Sequence, residues 1–133
     1  MKIFISHSAQ DQKLADSVRE RLRTEGHQVW DPERDLLPGD NWLTKTGRAL
    51  ANSDAVIFLL SPEGAKSPNI LKEIEYTISN RKFKGRVLPV VFQSAAESVP
   101  WILKKMNYLE LPAKISSTAK AAESIVSNFA AVL

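Results

Sequence analysis

Cysteine is absent from the 133 residues, which excludes a disulfide framework, a thiolate nucleophile and a cysteine-ligated zinc site. Histidine is scarce: with only His7 and His27, a metal site would have to rest on carboxylates, and no loop clusters them, so no metal is expected. Long apolar runs are missing too. Ile3-Phe4-Ile5 is too short for the core of a signal peptide, and nothing approaches the roughly eighteen apolar residues of a membrane span, so the expectation is a cytoplasmic chain with no membrane partner. Eighteen basic residues stand against fifteen acidic ones, a net charge of +3, and the cations are dispersed rather than drawn into a stripe. Nucleic acid is therefore not an expected partner. The five glycines form no GxGxxG after the first strand and no GxxxxGK[ST], which removes the common dinucleotide and nucleoside triphosphate loops, and no GxSxG elbow supports a hydrolase triad.

What is present is enough apolar material, 44% of the chain, for a single domain over 1–133. Its apolar, abrupt end at Ala130-Ala131-Val132-Leu133 carries the expectation of a domain cut from a longer protein. Ile3-Phe4-Ile5-Ser6 predicts a strand buried on both faces. Leu14, Val18 and Leu22 recur every four residues among charges, with Gly26 where a helix C-terminal cap belongs. Gln28-Val29-Trp30 reads as a second strand. Residues 31–40, with two prolines, a glycine and five charges, read as a long exposed loop. Leu43, Thr46 and Leu50 mark a short helix with Trp42 at its start, and residues 55–60 form the most apolar, hence central, strand. Ile70, Ile74 and Ile78 predict a helix that Ser67 caps and Pro68 begins. Residues 87–92 are a fourth strand despite Pro89, 108–111 an edge strand, and Ala121, Ile125 and Phe129 the face of a closing helix. The order βαβαβαβαβα predicts an α/β fold: a flavodoxin-like five-stranded parallel sheet, order 2-1-3-4-5, with helices on both faces. Ligands of such sheets sit beyond the carboxyl ends of the strands, which draws attention to residues 6–9, 31–42 and 61–73.

The residues in those loops resemble a family. Phe4-Ile5-Ser6-His7-Ser8 with Asp11, Asp35-Leu36-Leu37-Pro38-Gly39, Leu59-Leu60-Ser61-Pro62, the run from Ser67 to Glu73 and Leu88-Pro89-Val90-Val91 are similar, in order, to the signature boxes of Toll/interleukin-1 receptor (TIR) domains. The resemblance reaches from Met1 to about Leu111, and it points to the bacterial-type TIR domains that consume NAD+. It implies an NAD+ glycohydrolase or ADP-ribosyl cyclase in immune or cell-death signalling, activated by self-assembly with other TIR domains. NAD+ would be the substrate, and no cofactor is implied. By position the essential glutamate is Glu73, and His7, Ser8, Asp31, Trp42 and Asn69 are implied contacts to substrate. Asn69 departs from the family, which commonly places tryptophan there. Asp35, Pro38 and Gly39 belong to the implied assembly loop.

Each of these residues also has a plain reading. Glu73 lies at the margin of the apolar face, where most glutamates are solvated; Glu75 has Lys72 three residues before it for an ion pair, whereas Glu73 has no cation at a helical neighbour position. Asp31 before Pro32 reads equally as a turn residue, Trp42 as a core residue and His7 as a loop histidine bonded to backbone. Ser6 and Ser67 read as turn or cap residues. Two further readings remain open: a non-catalytic module that signals by TIR-TIR association, and a deoxyribosyltransferase-like enzyme using one glutamate at a ribose.

Overall fold

The computed structural model describes residues 1–92, 95, 99, 108–112 and 117–132. Five parallel strands, β1 Lys2–Ser6, β2 Gln28–Trp30, β3 Ala55–Leu60, β4 Val87–Phe92 and β5 Leu109–Leu111, form one sheet in the order β2-β1-β3-β4-β5. That is the architecture the alternation of elements predicts. Every residue of β3 is buried, as the centre of a sheet covered on both sides requires.

Strand alternation divides the core in two. Ile3, Ile5, Ile57 and Val90 face α1 (Gln12–Thr24) and α6 (Thr118–Val132). Phe4, Val56, Phe58 and Leu60 face the other way, toward Leu50 of α3 (Trp42–Ala51) and Ile70 and Ile74 of α5 (Pro68–Ser79). Helix α1 ends as Gly26 predicts. With φ of 92°, Gly26 donates to the Arg23 carbonyl at 3.0 Å and His27 to that of Leu22 at 3.0 Å, the two bonds of a Schellman cap. Pro89 is accommodated because β5 pairs with β4 only from Val90 onward, so among the described residues the missing N–H falls where no strand pairs with that edge of β4.

Three readings of the sequence need correction. Residues 31–40 are not an exposed loop throughout: Pro32–Asp35 form one helical turn, α2, capped by the buried Asp31, whose side chain accepts from the Glu33 N–H at 2.9 Å. Only the segment beyond it is a surface turn. Leu37 and Asp40 close it with a 3.0 Å backbone bond around Pro38 and Gly39, the latter at φ 90°, the pattern of a type II turn. Leu43 does not share the buried face of Thr46 and Leu50 but is 66% exposed, since the first turn of α3 overhangs the strand tips. A short helix, α4 (Pro62–Lys66), capped by Ser61, occupies part of what reads as a loop after β3. The helix expected between β4 and β5 falls in 93–107, almost wholly outside the described residues.

Candidate active site

Helix α5 builds the site from its first turn. Ser67 Oγ accepts from the Ile70 N–H at 3.4 Å and Pro68 begins the helix. Burial of Ile70 and Ile74 then sets the rotation of the helix. Glu73, at the margin of that face on the helical wheel, is carried against the sheet and left only 6% exposed. Strand alternation gives Ser6 the same face as Phe4 and so aims it at α5. The chain thus places Glu73 above the end of β1, not in solvent.

A cleft of about 130 Å3 opens over this position between α3 and α5. Trp42, Thr46 and Leu50 form one wall; Asn69, Glu73 and Tyr76 form the other. Burial pushes the Glu73 carboxyl up to about 7, and neighbouring Ser6 and the charge of His7 only partly oppose that rise. Ser6 Oγ favours the ionised form, but among the described residues neither it nor Glu73 Oε2 has a hydrogen-bond partner within bonding geometry. Thr46 Oγ1 is a third unpartnered buried oxygen on the same cleft. Unsatisfied buried polar atoms are uncommon, so two on the walls of one small cleft, with Ser6 Oγ behind them, mark it as suited to polar groups of something else.

Next to this open position lies a closed one. His7 Nε2 meets Asp31 Oδ1 at 2.7 Å, and His7 Nδ1 meets the Ser8 carbonyl oxygen at 2.6 Å. Asp31 Oδ2 accepts from Gln12 Nε2 at 3.1 Å, and the Asp31 N–H donates to Asp35 Oδ2 at 2.8 Å. Burial works against a charged His7, but the Asp31 hydrogen bond and charge, the Ser8 carbonyl and the charge of Glu33 outweigh it and hold the imidazole above its ordinary value. Arg19 grips Asp35 with two bonds of 3.0 and 3.1 Å, tying α2 to α1.

The residues expected at the site therefore separate. Glu73, Trp42 and Asn69 meet in one cleft. His7 and Asp31 stand beside it with side chains 0% and 1% exposed, so in this conformation they offer a substrate no surface and act on the site through their charge. Ser8 Oγ donates to Asp11 Oδ2 at 3.0 Å; Ser61 Oγ donates to the same oxygen at 2.5 Å, and together these bonds join the tips of β1 and β3. Asp35 is an internal anchor, whereas Pro38 and Gly39 are exposed at the turn. No ion pair between Lys72 and Glu75 is found among the described residues; Lys72 borders the cleft instead.

Tyr76 and Thr46 escaped sequence reasoning. Asn69, Lys72, Glu73 and Tyr76 follow the i, i+3, i+4, i+7 spacing of one helix face, a signal that was there to use. A larger groove, about 360 Å3, lies between β2 and α3 and is lined by Lys2, Trp30, Lys45 and Arg48 among others. It contains no carboxylate and lies on the other side of α3. Another groove, about 500 Å3, holds carboxylates, but its Asp16 and Asp35 are taken up by Arg34 and Arg19. Among the described residues no cluster of histidine and acidic side chains could hold a metal ion, and no helix is long and apolar enough to cross a membrane.

A family model described as TIR domain matches residues 3–126. The chain belongs to the TIR domain family. Solved structures agree on the fold. The TIR domain of the Toll-related receptor TRR-2 from Hydra magnipapillata superposes with a TM-score of 0.73 at 20% identity, covering 98% of this chain and 96% of that one. A metazoan TIR-STING receptor from C. gigas gives 0.71 at 24% identity over 92% of this chain, which spans only 38% of the receptor chain. A conserved protein from Enterococcus faecalis gives 0.61 at 16% identity, covering 96% and 98% of the two chains. No curated protein matches the sequence. This TIR domain thus has its buried glutamate on α5, at the carboxyl ends of the strands where open parallel sheets bind ligands.

Proposed function

We propose that this TIR domain breaks the bond between nicotinamide and ribose in NAD+, releasing nicotinamide and ADP-ribose or its cyclic form, with Glu73 as the carboxylate at the reacting carbon. The observation that carries this reading is a buried carboxyl with an unpartnered oxygen on the wall of a cleft whose other walls are mostly apolar or aromatic. Burying such a group without partners opposes folding, and a ligand is what could complete it.

The nicotinamide of NAD+ is a pyridinium, so the pair of electrons in the C1′–N bond leaves with nitrogen and the product departs neutral without a proton donor. Positive charge grows on C1′ and the ring oxygen of the ribose. A fixed carboxylate in a water-poor site stabilises that charge and accepts bonds from the ribose hydroxyls. Water then adds to C1′ and gives up a proton, or an adenine nitrogen adds and closes the cyclic product. Trp42 and Tyr76 supply faces for the departing ring, and Lys72 at the mouth supplies a cation for the pyrophosphate.

The cleft is smaller than the ~300–1,000 Å3 of ordinary small-molecule sites. At about 130 Å3 it suits one end of the dinucleotide, and a second surface must cover the rest. The exposed turn with Leu37 at its start, 66% exposed, is suited to provide that surface to a neighbouring TIR domain. Activity therefore depends on self-association, in keeping with a signalling role in the cytoplasm. The same turn favours the second reading, a TIR module that assembles without turnover. Nicotinamide release, followed by product chromatography across a concentration series, separates the two. Release that climbs faster than protein concentration and vanishes in Glu73→Gln supports cleavage; concentrated, associated parent protein that leaves NAD+ intact leaves only the docking role.

A further inference from the structure

His7 is the group at the strand tips that the cleft does not explain. Its side chain is fully buried, it does not line the cleft, and its nitrogens are both engaged within the protein. Its hydrogen bonds nevertheless specify its charge. Nδ1 lies 2.6 Å from the Ser8 carbonyl oxygen, which can only accept. Nε2 lies 2.7 Å from Asp31 Oδ1, which also accepts from the Glu33 N–H at 2.9 Å. The other Asp31 oxygen accepts from Gln12 Nε2 at 3.1 Å, and that same amide donates to Asp16 Oδ1 at 2.9 Å. Turning the Gln12 amide over would set its oxygen against two carboxylates, so its NH2 group faces both. Turning the His7 ring over would present carbons to both of its acceptors. With N–H donors at both Asp31 oxygens and an acceptor at each ring nitrogen, both nitrogens of His7 carry hydrogen, and the ring is an imidazolium sealed from water.

A buried cation acts strongly on the charges around it. Those facing His7 are Asp31 and Glu33 from the β2–α2 junction, Asp16 from α1 and Glu73 from α5. Asp31 is its direct partner, Asp16 is taken up by Arg34 at 2.9 Å, and Glu33 is exposed. Glu73 makes no ion pair among the described residues, and the charge of His7 acts on it ahead of the opposing charge of either Asp31 or Glu33.

Building on the proposed reaction, we infer that His7 is a positioning residue acting through Glu73: clamped as an imidazolium between Asp31 and the Ser8 carbonyl, it opposes the effect of burial and favours the charged form of the Glu73 carboxyl without touching substrate. Asp31 acts one step further out by keeping His7 charged. A neutral side chain at position 7 would enlarge the fraction of Glu73 that carries its proton at neutral pH, and a neutral carboxylic acid stabilises a developing sugar cation poorly.

Nuclear magnetic resonance on the whole chain without substrate tests the inference. Imidazole 15N spectra should show both His7 nitrogens protonated at neutral pH; a neutral tautomer overturns the assignment. In a 13C-carboxyl titration, His7→Gln should raise the Glu73 midpoint by about one pH unit, a tenfold loss of ionised fraction above that midpoint. A midpoint that stays in place or falls ends the proposal. Should His7→Gln fail to fold, the coupling can be read in reverse, because linkage requires Glu73→Gln to lower the His7 midpoint by the same amount. An unmoved His7 midpoint is then the overturning result. In an active parent, the limb of the rate-against-pH curve set by Glu73 should shift upward in His7→Gln. A parent that cleaves no NAD+ removes the proposed reaction, while the two midpoints still decide whether His7 governs the charge of Glu73.

Discussion

Asp31, just past β2, and Glu73, midway along α5, are both buried carboxyls, and they have been treated in opposite ways. Asp31 receives His7, Gln12 and the Glu33 N–H, and its own N–H is taken up by Asp35. Both of its carboxyl oxygens are engaged inside the fold. Glu73 keeps one oxygen without a partner beside an equally unpartnered Ser6 hydroxyl and faces a cleft. Sites in enzymes work against folding because the groups that will hold substrate are left incomplete, whereas groups that hold the chain together are saturated. Burial alone does not distinguish the two roles. The count of partners does.

That contrast can be broken most forcefully at Asp31. Asp31→Ala removes the counter-ion of a buried imidazolium together with the cap of α2, and should cost about 3–5 kcal/mol. Denaturant unfolding measures it, and a loss under about 1 kcal/mol would mean the network is ornamental. Glu73→Gln should do the reverse to stability while removing NAD+ cleavage by roughly a hundredfold or more. The sign follows from linkage. Glu73 binds its proton more tightly in the fold, at about 7, than in the unfolded chain at 4.5, so stability is greatest below the lower value and declines as pH rises toward the higher one. The raised imidazole of His7 adds to the same decline as pH rises from 6.5 through its own folded value. Above pH 7, Glu73→Gln should exceed the parent in stability by roughly 3 kcal/mol, a gap that closes below pH 4.5. Equal stabilities across that range would contradict the burial argument.

A smaller effect belongs to the anchor of α2. Arg19→Ala leaves Asp35 without its two-pronged partner and should lower stability by about 1–2 kcal/mol, read as a drop in thermal midpoint without loss of the Glu73 cleft. The least costly to the fold is Leu37→Asp on the exposed turn. Its melting should stay within about 0.5 kcal/mol of the parent, while light scattering shows weakened self-association. Undiminished association would take the turn out of the assembly.

The strands were legible because each is a short apolar run with the buried pattern of a two-sided parallel sheet, and 55–60 matches β3 residue for residue. Gly26 and Ser67 were legible as caps because capping is chemistry between residues a few positions apart. Glu73 was singled out by family resemblance and by its want of a neighbouring cation, yet its burial was not foreseen. Helical spacing places it at the margin of the Ile70–Ile74 face, and whether a margin is wet depends on what stands opposite. Here α3 and the end of β1 stand opposite. Asp31 misled for a related reason: a run rich in proline and charge reads as solvated, but its charges are spent on α1 and β1, far away in sequence.

Periodicity and local hydrogen bonding are properties of neighbouring residues, so the order of elements, the parallel sheet and most helix ends follow from the amino-acid string. The protonation of His7, the unfilled valence of Glu73 and the cleft shared by Trp42, Asn69 and Tyr76 do not. They arise where β1, β2, α3 and α5 converge, because charge state and solvation depend on every group within a few ångströms, and folding alone determines which groups those are.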